Sequence, residues 1–273
     1  MLEFVIESSL KRLVVMRSIF PSLFHNDRSL KARSAPGELS FDFHSHLLPG
    51  VDDGMQTLED SRRTIADLKT LGFAGAVITP HVYKGVFDNT ATSLRASFAT
   101  FLASLGEDTD DFPLYLAGEY FADEHFVRLI EQDDLLFLPV ADERWVLLEF
   151  PYLQETPFAS VCLSALGARG YRPVVAHVER YRYVAKMPDN WLGLFERSGA
   201  ILQGDIGSLA GQHGEDVRRF AGLLMERNIV KIWGTDIHNP GQIKRHIVPG
   251  LGQLASVDRL NEILDPLLVG EKA

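Results

Sequence analysis

The chain has 273 residues, 46% of them apolar, and a formal charge of −10; it suits one large domain and makes nucleic acid a poor partner, because the average surface repels a phosphate backbone. The single cysteine, Cys162, excludes an internal disulfide framework and a thiolate zinc site and fits a reducing, cytoplasmic setting. No apolar run approaches the roughly 18 to 20 residues that span a bilayer, and the opening MLEFVIESSL is acidic where an export signal is basic, so the expectation is an unexported protein without a transmembrane segment.

Residues 1–38 read as an N-terminal extension and linker. LKRLVVMRSIFPSLF mixes apolar with basic residues as a short amphipathic helix does, and HNDRSLKARSAPGE is polar and rich in turn formers. Docking on the domain is the first reading of that helix; a membrane-surface segment, or an upstream start with Met16 as the alternative, are the others. Residues 39–273 then form one domain, in which short apolar runs alternate with longer stretches of helical periodicity. Seven runs are strand candidates: LSFDFHSH (39–46), GAVITPH (75–81), LYLAGEY (114–120), WVLLEFP (145–151), RPVVAHV (172–178), AILQGD (200–205) and IVKIWGTD (229–236). Helix candidates lie between them. In TLEDSRRTIADLKTLG, Thr57 can cap, Glu59 and Asp60 favour the N-terminal dipole and Gly72 can stop the helix; TPFASVCLSALGARG and EDVRRFAGLLMERN end in the same way at Gly170 and Asn228. Repeated strand-helix units with nearly continuous apolar strands predict an α/β fold with a parallel sheet, here a barrel of seven strands.

Nine histidines in 273 positions produce a His-x-His pair by chance roughly 0.3 times, so His44 and His46 carry weight only through their position. Strand residues two apart share a face, so both imidazoles can address one ion, and Asp236 and His238 repeat the spacing after the last strand. His81, Glu119, Glu149 and His177 stand at the ends of four more strands, on the face that carries the active sites of β/α barrels. His25, His125, His213 and His246 fall elsewhere and read as surface or packing residues. A lone histidine after a strand is more often a hydrogen-bonded loop residue, but with Asp53 the convergent set counts nine. A buried Glu149 or Asp236 without a partner would cost several kcal/mol, on the order of what a shared cation removes. Five imidazoles with four carboxylates suit two or three adjacent ions of Mn, Fe or Zn type with a bridging carboxylate, a centre that generates hydroxide near neutral pH and clamps phosphoryl oxygens. Cys162 sits inside a helical pattern, with six residues between it and Arg169, and so does not fit a Cys-x5-Arg phosphate loop.

FHSHLLPGVDDG, ITPH, GEY, LLEFP, AHVERY, LQGDIGSLAG and GTDIHN follow one another in the order found in the polymerase and histidinol phosphatase (PHP) family. Within it the chain most resembles the bacterial tyrosine-protein phosphatases of capsular and exopolysaccharide operons, and GEYFADEHF and the N-terminal segment look most like their Bacteroidetes branch. The resemblance implies a distorted seven-stranded (β/α)7 barrel of the PHP type holding three divalent ions, manganese first, iron or zinc as alternatives. It implies His44, His46, Glu119 and Asp236 around one ion, Glu119 shared with a second served by Glu149 and His177, and Asp53, His81 and His238 at the third. It also implies that Arg180 meets the substrate phosphate, against an ion pair with Glu179, and that catalysis depends on Arg180, His177 and Glu119. The implied activity is hydrolysis of phosphotyrosine, on the tail of a bacterial tyrosine kinase of polysaccharide synthesis, by metal-activated hydroxide without a covalent enzyme intermediate. The implied location is the cytoplasm, peripheral to the inner membrane through the kinase. The competing readings are a small-molecule phosphatase of histidinol type, a nuclease of similar metal chemistry, and a catalytically silent metal-binding regulator. The chain departs from the family at Val178, commonly Pro, and at Gly204 and Asp205, commonly Asn or small; Asp205 is expected to add negative charge at the mouth of the site.

Overall fold

The computed structural model describes residues 41–106 and 111–256; the extension and linker expected at 1–38, with their amphipathic helix, lie outside the described residues. Ten strand segments follow in chain order: β1 Asp42–Ser45, β2 Ala76–Ile78, β3 His81–Val82, β4 Leu114–Leu116, β5 Glu119–Phe121, β6 Leu138–Val140, β7 Glu143–Glu149, β8 Tyr171–Val175, β9 Ile201–Asp205 and β10 Ile232–Gly234. Each of the seven expected runs contains a strand, but two of them are broken. β2 and β3 are separated at Thr79–Pro80, and β4 and β5 at Ala117–Gly118. A prolyl nitrogen cannot donate to a ladder and glycine gives a strand little to pack, so both interruptions fall at residues that weaken pairing. Hydrogen bonds run on across the gaps, from Ala117 N to Ile78 O at 2.9 Å and from Glu119 N to Pro80 O at 3.1 Å.

β1, β2 and β4 pair in parallel in that order, and β3, β5, β7, β8, β9 and β10 continue the parallel sheet. The ring closes where β10 returns to β1. Asp236 N donates to His44 O at 2.8 Å, His46 N to Ile237 O at 3.0 Å, and Thr235 N to Asp42 Oδ1 at 2.8 Å. Only glycine permits this approach at position 234, since a Cβ there would lie 2.7 Å from the Cβ of His44. The result is a distorted barrel of seven staves. β6 is an addition to the seven expected runs, at the end of the apolar stretch LLFLPV: it turns at Ala141, whose φ is 51°, and pairs antiparallel with the start of β7. Pro139 is tolerated because β6 has β7 as its partner on one side and is an edge strand.

Helices at Leu58–Thr70, Ala91–Leu105, Glu124–Gln132, Phe158–Ala168, Pro188–Arg197 and Glu215–Glu226 alternate with the staves. The first is capped by Thr57, whose side chain accepts from Asp60 N at 3.1 Å, a contact typically worth about 1 kcal/mol. Gly170 and Asn228 follow their helices in the left-handed region, with φ of 72° and 53°, as helix stops do. A large apolar cluster joins strands to helices, while a smaller one, drawn from the strands, includes Phe43, Val77, Ala117, Leu147, Val174 and Ile201. The side-chain period of two carries that inner row onward. Two residues past Ala117 comes Glu119, past Leu147 comes Glu149, and past Ile201 comes Gln203, so the barrel interior turns from apolar to polar at the C-terminal ends of its strands.

Candidate metal centre

All nine expected residues meet at that end of the barrel. Three overlapping groups have their ligand-type atoms within 4.8 Å of one another: His44, His46, Glu119 and Asp236; His81, Glu119 and Glu149; and His46, Asp53, His81 and His238. Glu119 is the hub. Its Oε2 lies 3.2 Å from His44 Nε2, 3.4 Å from His46 Nε2 and 3.1 Å from His81 Nδ1, and its Oε1 lies 3.0 Å from His177 Nε2. Asp236 Oδ1 sits 3.2 Å from His44 Nε2 and 3.3 Å from His46 Nε2. Glu149 Oε1 is 3.3 Å from His81 Nδ1, and Asp53 Oδ1 is 3.5 Å from His81 Nε2 and 3.6 Å from His238 Nε2. The grouping differs in two details from that implied by the resemblance: the imidazole shared by Glu119 and Glu149 is His81, while His177 touches Glu119, and His46 also joins Asp53, His81 and His238.

The tautomers reveal what the cluster lacks. His44 Nδ1 faces Gln203 Oε1 at 3.3 Å and His46 Nδ1 faces Asp52 Oδ2 at 2.8 Å. Gln203 Oε1 also accepts from His177 N at 2.8 Å, and its amide nitrogen donates to Gly204 O. Both ring partners are acceptors, so each imidazole carries its proton on Nδ1 and turns an Nε2 lone pair inward. Those two Nε2 atoms lie 3.1 Å apart. The Glu119 and Asp236 carboxylates meet them at the same spot. A proton on one ring lets its Nε2 donate to the other ring or to a carboxylate, whereas one divalent cation serves both nitrogens and both carboxylates at once. Glu119 Oε2, Asp236 Oδ1 and His81 Nδ1 are also buried without a hydrogen-bond partner, which native interiors avoid unless an ion or water is held there. The residues therefore fit a divalent-cation centre.

The electrostatics mark the same spot as strongly negative. Burial opposes a charged His44 and a charged His46, but the carboxylates around them outweigh it, holding the His44 pKa at about 9 and that of His46 well above the ordinary value, so that without a cation these rings take up protons in its place. Burial likewise opposes ionisation of Glu119 and Asp236, yet the surrounding imidazoles hold both well below the usual carboxylate range. Burial, with Arg180 beside it, pushes His177 below the ordinary histidine value, towards the neutral form that ligates metals. Backbone strain gathers here too. His177 and Asp236 have φ of 31° and 47°, a left-handed conformation that costs a non-glycine residue about 1 to 3 kcal/mol and concentrates at functional sites.

Arg180 does not form the surface ion pair with Glu179 that stands as its alternative role. Its Nη1 donates to Asp236 Oδ2 at 2.7 Å, and its guanidinium lies 4.4 Å over the ring of Tyr152. Glu179 is buried, and its Oε1 accepts from Asp205 N at 3.0 Å. Asp205 is buried beside the site rather than exposed at its mouth: it accepts from Gly207 N and from His213 Nε2, each at 2.7 Å, and its charge helps to hold Arg180 protonated. Asp205, His213 and Asp236 are near enough to suggest a further ion, but hydrogen bonds to Gly207, His213 and Arg180 already engage the carboxylates. His213 thus has a buried partner rather than the bland role expected of it. His125 and His246 take part in none of the groups among the described residues, and His25 lies outside them.

Three further residues at the centre stand outside the expected set. Gln203, which sets the His44 tautomer, follows Ile201 on the inner face of β9 and is legible from the period of two. Asp52, which sets that of His46, also accepts from Gly54 N at 2.9 Å and His81 N at 3.0 Å; in GVDDG it is indistinguishable from Asp53 until the turn is folded. Tyr152 donates to Glu149 Oε2 at 3.0 Å, and nothing in its spacing signals this.

A β/α barrel with a cation-binding cluster of imidazoles and carboxylates at the C-terminal ends of its strands defines the class. The chain belongs to the family described as capsular polysaccharide synthesis, CpsB/CapC, which matches residues 40–255. It is 31% identical over 201 residues to the tyrosine-protein phosphatase YwqE of Bacillus subtilis, covering 72% of this chain and 77% of that protein. It is 25% identical over 203 residues to the tyrosine-protein phosphatase CpsB of Streptococcus pneumoniae, covering 72% and 82%. Among solved structures, a chain from the crystal structures of YwqE and CpsB, described as unique metal-dependent tyrosine phosphatases, matches with a TM-score of 0.71 at 28% identity over 81% of this chain and 89% of that one. The histidinol phosphate phosphatase of Lactococcus lactis shares the fold, with a TM-score of 0.52 at 15% identity, covering 86% of this chain and 99% of that one.

Proposed function

We propose that this protein is a metal-dependent protein-tyrosine phosphatase whose centre is built by His44, His46, Asp53, His81, Glu119, Glu149, His177, Asp236 and His238. The observation that carries the reading is the meeting of His44 Nε2 and His46 Nε2, 3.1 Å apart, with oxygens of Glu119 and Asp236, a donor set that suits a divalent cation, and the family relation supplies the reaction. The three overlapping groups support three ions, with manganese first and iron or zinc as alternatives. Bound divalent ions would supply a water acidic enough to ionise near neutral pH and positive charge for the phosphoryl oxygens.

The chain's own residues do the rest. Glu119, with contacts to four imidazoles, holds the ligand rings in one frame, and Asp52 and Gln203 keep two of them in the ligating tautomer. Arg180 uses one N–H on Asp236 and keeps others for phosphate oxygens, a planar fork suited to that geometry. The Asp53 side chain is 60% exposed, so the centre is open on that side. An open site suits phosphotyrosine carried on a protein, and a flexible tail of a bacterial tyrosine kinase is the substrate we assign. Among the described residues no helix is long and apolar enough to cross a membrane.

The test is a side-by-side assay of a phosphotyrosine peptide, histidinol phosphate and single-stranded DNA with Mn²⁺. The phosphotyrosine peptide is expected to turn over with the highest kcat/KM. Preference for histidinol phosphate or cleavage of DNA would move the enzyme to another substrate class, and no turnover of any phosphoester would leave a silent regulator.

The reading also separates this enzyme from cysteine-based phosphatases. Cys162 is buried within the helix Phe158–Ala168, and burial, with Asp123 nearby, pushes its thiol up to about 12, so it is not an available nucleophile. Cys162→Ser is expected to keep most of its activity and to lose about 1 to 3 kcal/mol of stability for burying a hydroxyl. Kinetics and thermal melts check both. A folded, metal-loaded variant without activity would point to a covalent mechanism instead.

A further inference from the structure

Tyr152 lies between two functional groups that come from different staves. Its hydroxyl donates to Glu149 Oε2 at 3.0 Å, on the opposite side of that carboxylate from the oxygen facing His81. The face of the same ring lies 4.4 Å from the Arg180 guanidinium. Tyr152 is itself held: its carbonyl accepts from Arg182 N at 3.0 Å, and its ring stacks on Tyr181 with centroids 6.0 Å apart and planes at 17°. Arg180 is thus fixed at two points, Asp236 at its edge and Tyr152 at its face.

We infer that Tyr152 is a positioning residue that ties the ligand carboxylate of Glu149 to the phosphate-binding guanidinium of Arg180, so that cation site and phosphate site are set in one frame. The inference rests on the metallophosphatase reading above. It divides the residue into two separable parts. The hydroxyl steers Glu149 and so bears on metal affinity; the ring carries Arg180 and so bears on KM. A ring that merely filled space would not split in this way.

The experiment uses the full chain as wild type, Tyr152→Phe and Tyr152→Leu, with Mn²⁺ affinity measured by competition against a fluorescent chelator and kinetics on p-nitrophenyl phosphate at saturating Mn²⁺. Tyr152→Phe keeps the ring, so its Mn²⁺ affinity is expected to fall on the order of tenfold, as for the loss of other groups that orient a ligand, with KM unchanged. Tyr152→Leu is expected to show the same loss of affinity and a KM raised about fivefold or more, the scale of a part-buried cation–π contact, with kcat changed less. Adding Arg180→Ala to Tyr152→Leu should raise KM no further than Arg180→Ala alone. Wild-type Mn²⁺ affinity in Tyr152→Phe, or wild-type KM in a folded Tyr152→Leu, overturns the inference while leaving the metal centre intact. Wild-type protein that binds no Mn²⁺ overturns the metal centre, and this inference with it.

Discussion

Removing divalent ions with a chelator is expected to abolish hydrolysis of both a phosphotyrosine peptide and p-nitrophenyl phosphate, and returning Mn²⁺ is expected to restore it. The loss has two sources. Without ions nothing in the centre makes a nucleophile, since Cys162 is buried with its thiol raised to about 12. The metal-free centre also lacks the divalent positive charge that would hold the phosphoryl oxygens: protonated imidazoles then pair with the Glu119 and Asp236 carboxylates instead, and Arg180 has one of its N–H groups given to Asp236. Loss of one main electrostatic stabiliser alone is worth about a hundredfold to a thousandfold in turnover. The measurement is kcat/KM before chelation, after it and after readdition, with metal content followed by elemental analysis. Full activity in protein verified as metal-free would sink the central claim.

Replacing Glu119 with Ala should lower turnover by at least about a hundredfold at Mn²⁺ concentrations that saturate the wild type, the scale of losing one main electrostatic stabiliser. No other carboxylate in the cluster touches as many imidazoles: Oε2 serves His44, His46 and His81, and Oε1 serves His177. Its removal separates two of the three cation groups, which share it. His177→Ala should fall on the same scale, because that imidazole fills the other side of the Glu119 carboxylate. Circular dichroism and metal content must accompany the kinetics, so that a misfolded variant is not counted. Wild-type rates in both folded variants would show that the reaction centre lies elsewhere.

Some of the nine candidate residues are legible in the amino-acid sequence because strand geometry is periodic, whereas His44 and His177, each next to an inner-row residue, reach the centre through the irregular register of β1 and the left-handed turn at His177. A residue at the C-terminal end of a strand, on the inner face, has its direction set by its neighbours two positions back, as Glu149 has by Leu147 and Glu119 by Ala117. The same rule reaches Gln203 from Ile201. It does not reach Asp52, Tyr152 or the Asp205–His213 pair, whose partners are fixed by loops and by contacts between different staves. The two broken staves look continuous in sequence because their apolar pattern is continuous; the interruptions come from Pro80 and Gly118, whose effect on pairing depends on which neighbour the backbone meets. β6 falls outside the expected strands although LLFLPV is apolar, because Pro139 argues against a strand and the turn at Ala141 rests on a positive φ at a residue that seldom adopts one.

The sequence by itself determined the chemistry on offer: imidazoles and carboxylates without a usable thiol, delivered in order at the C-terminal ends of parallel strands. Only the tertiary structure decided how those donors divide. Closing β10 against β1 set Asp236 opposite His44 and His46, and Gln203 and Asp52, distant in the chain or hidden in a turn, fixed the two tautomers. Proton placement on an imidazole depends on what its far nitrogen touches, and that contact is long-range for His44 and turn-dependent for His46, so neighbouring residues in the chain do not encode it.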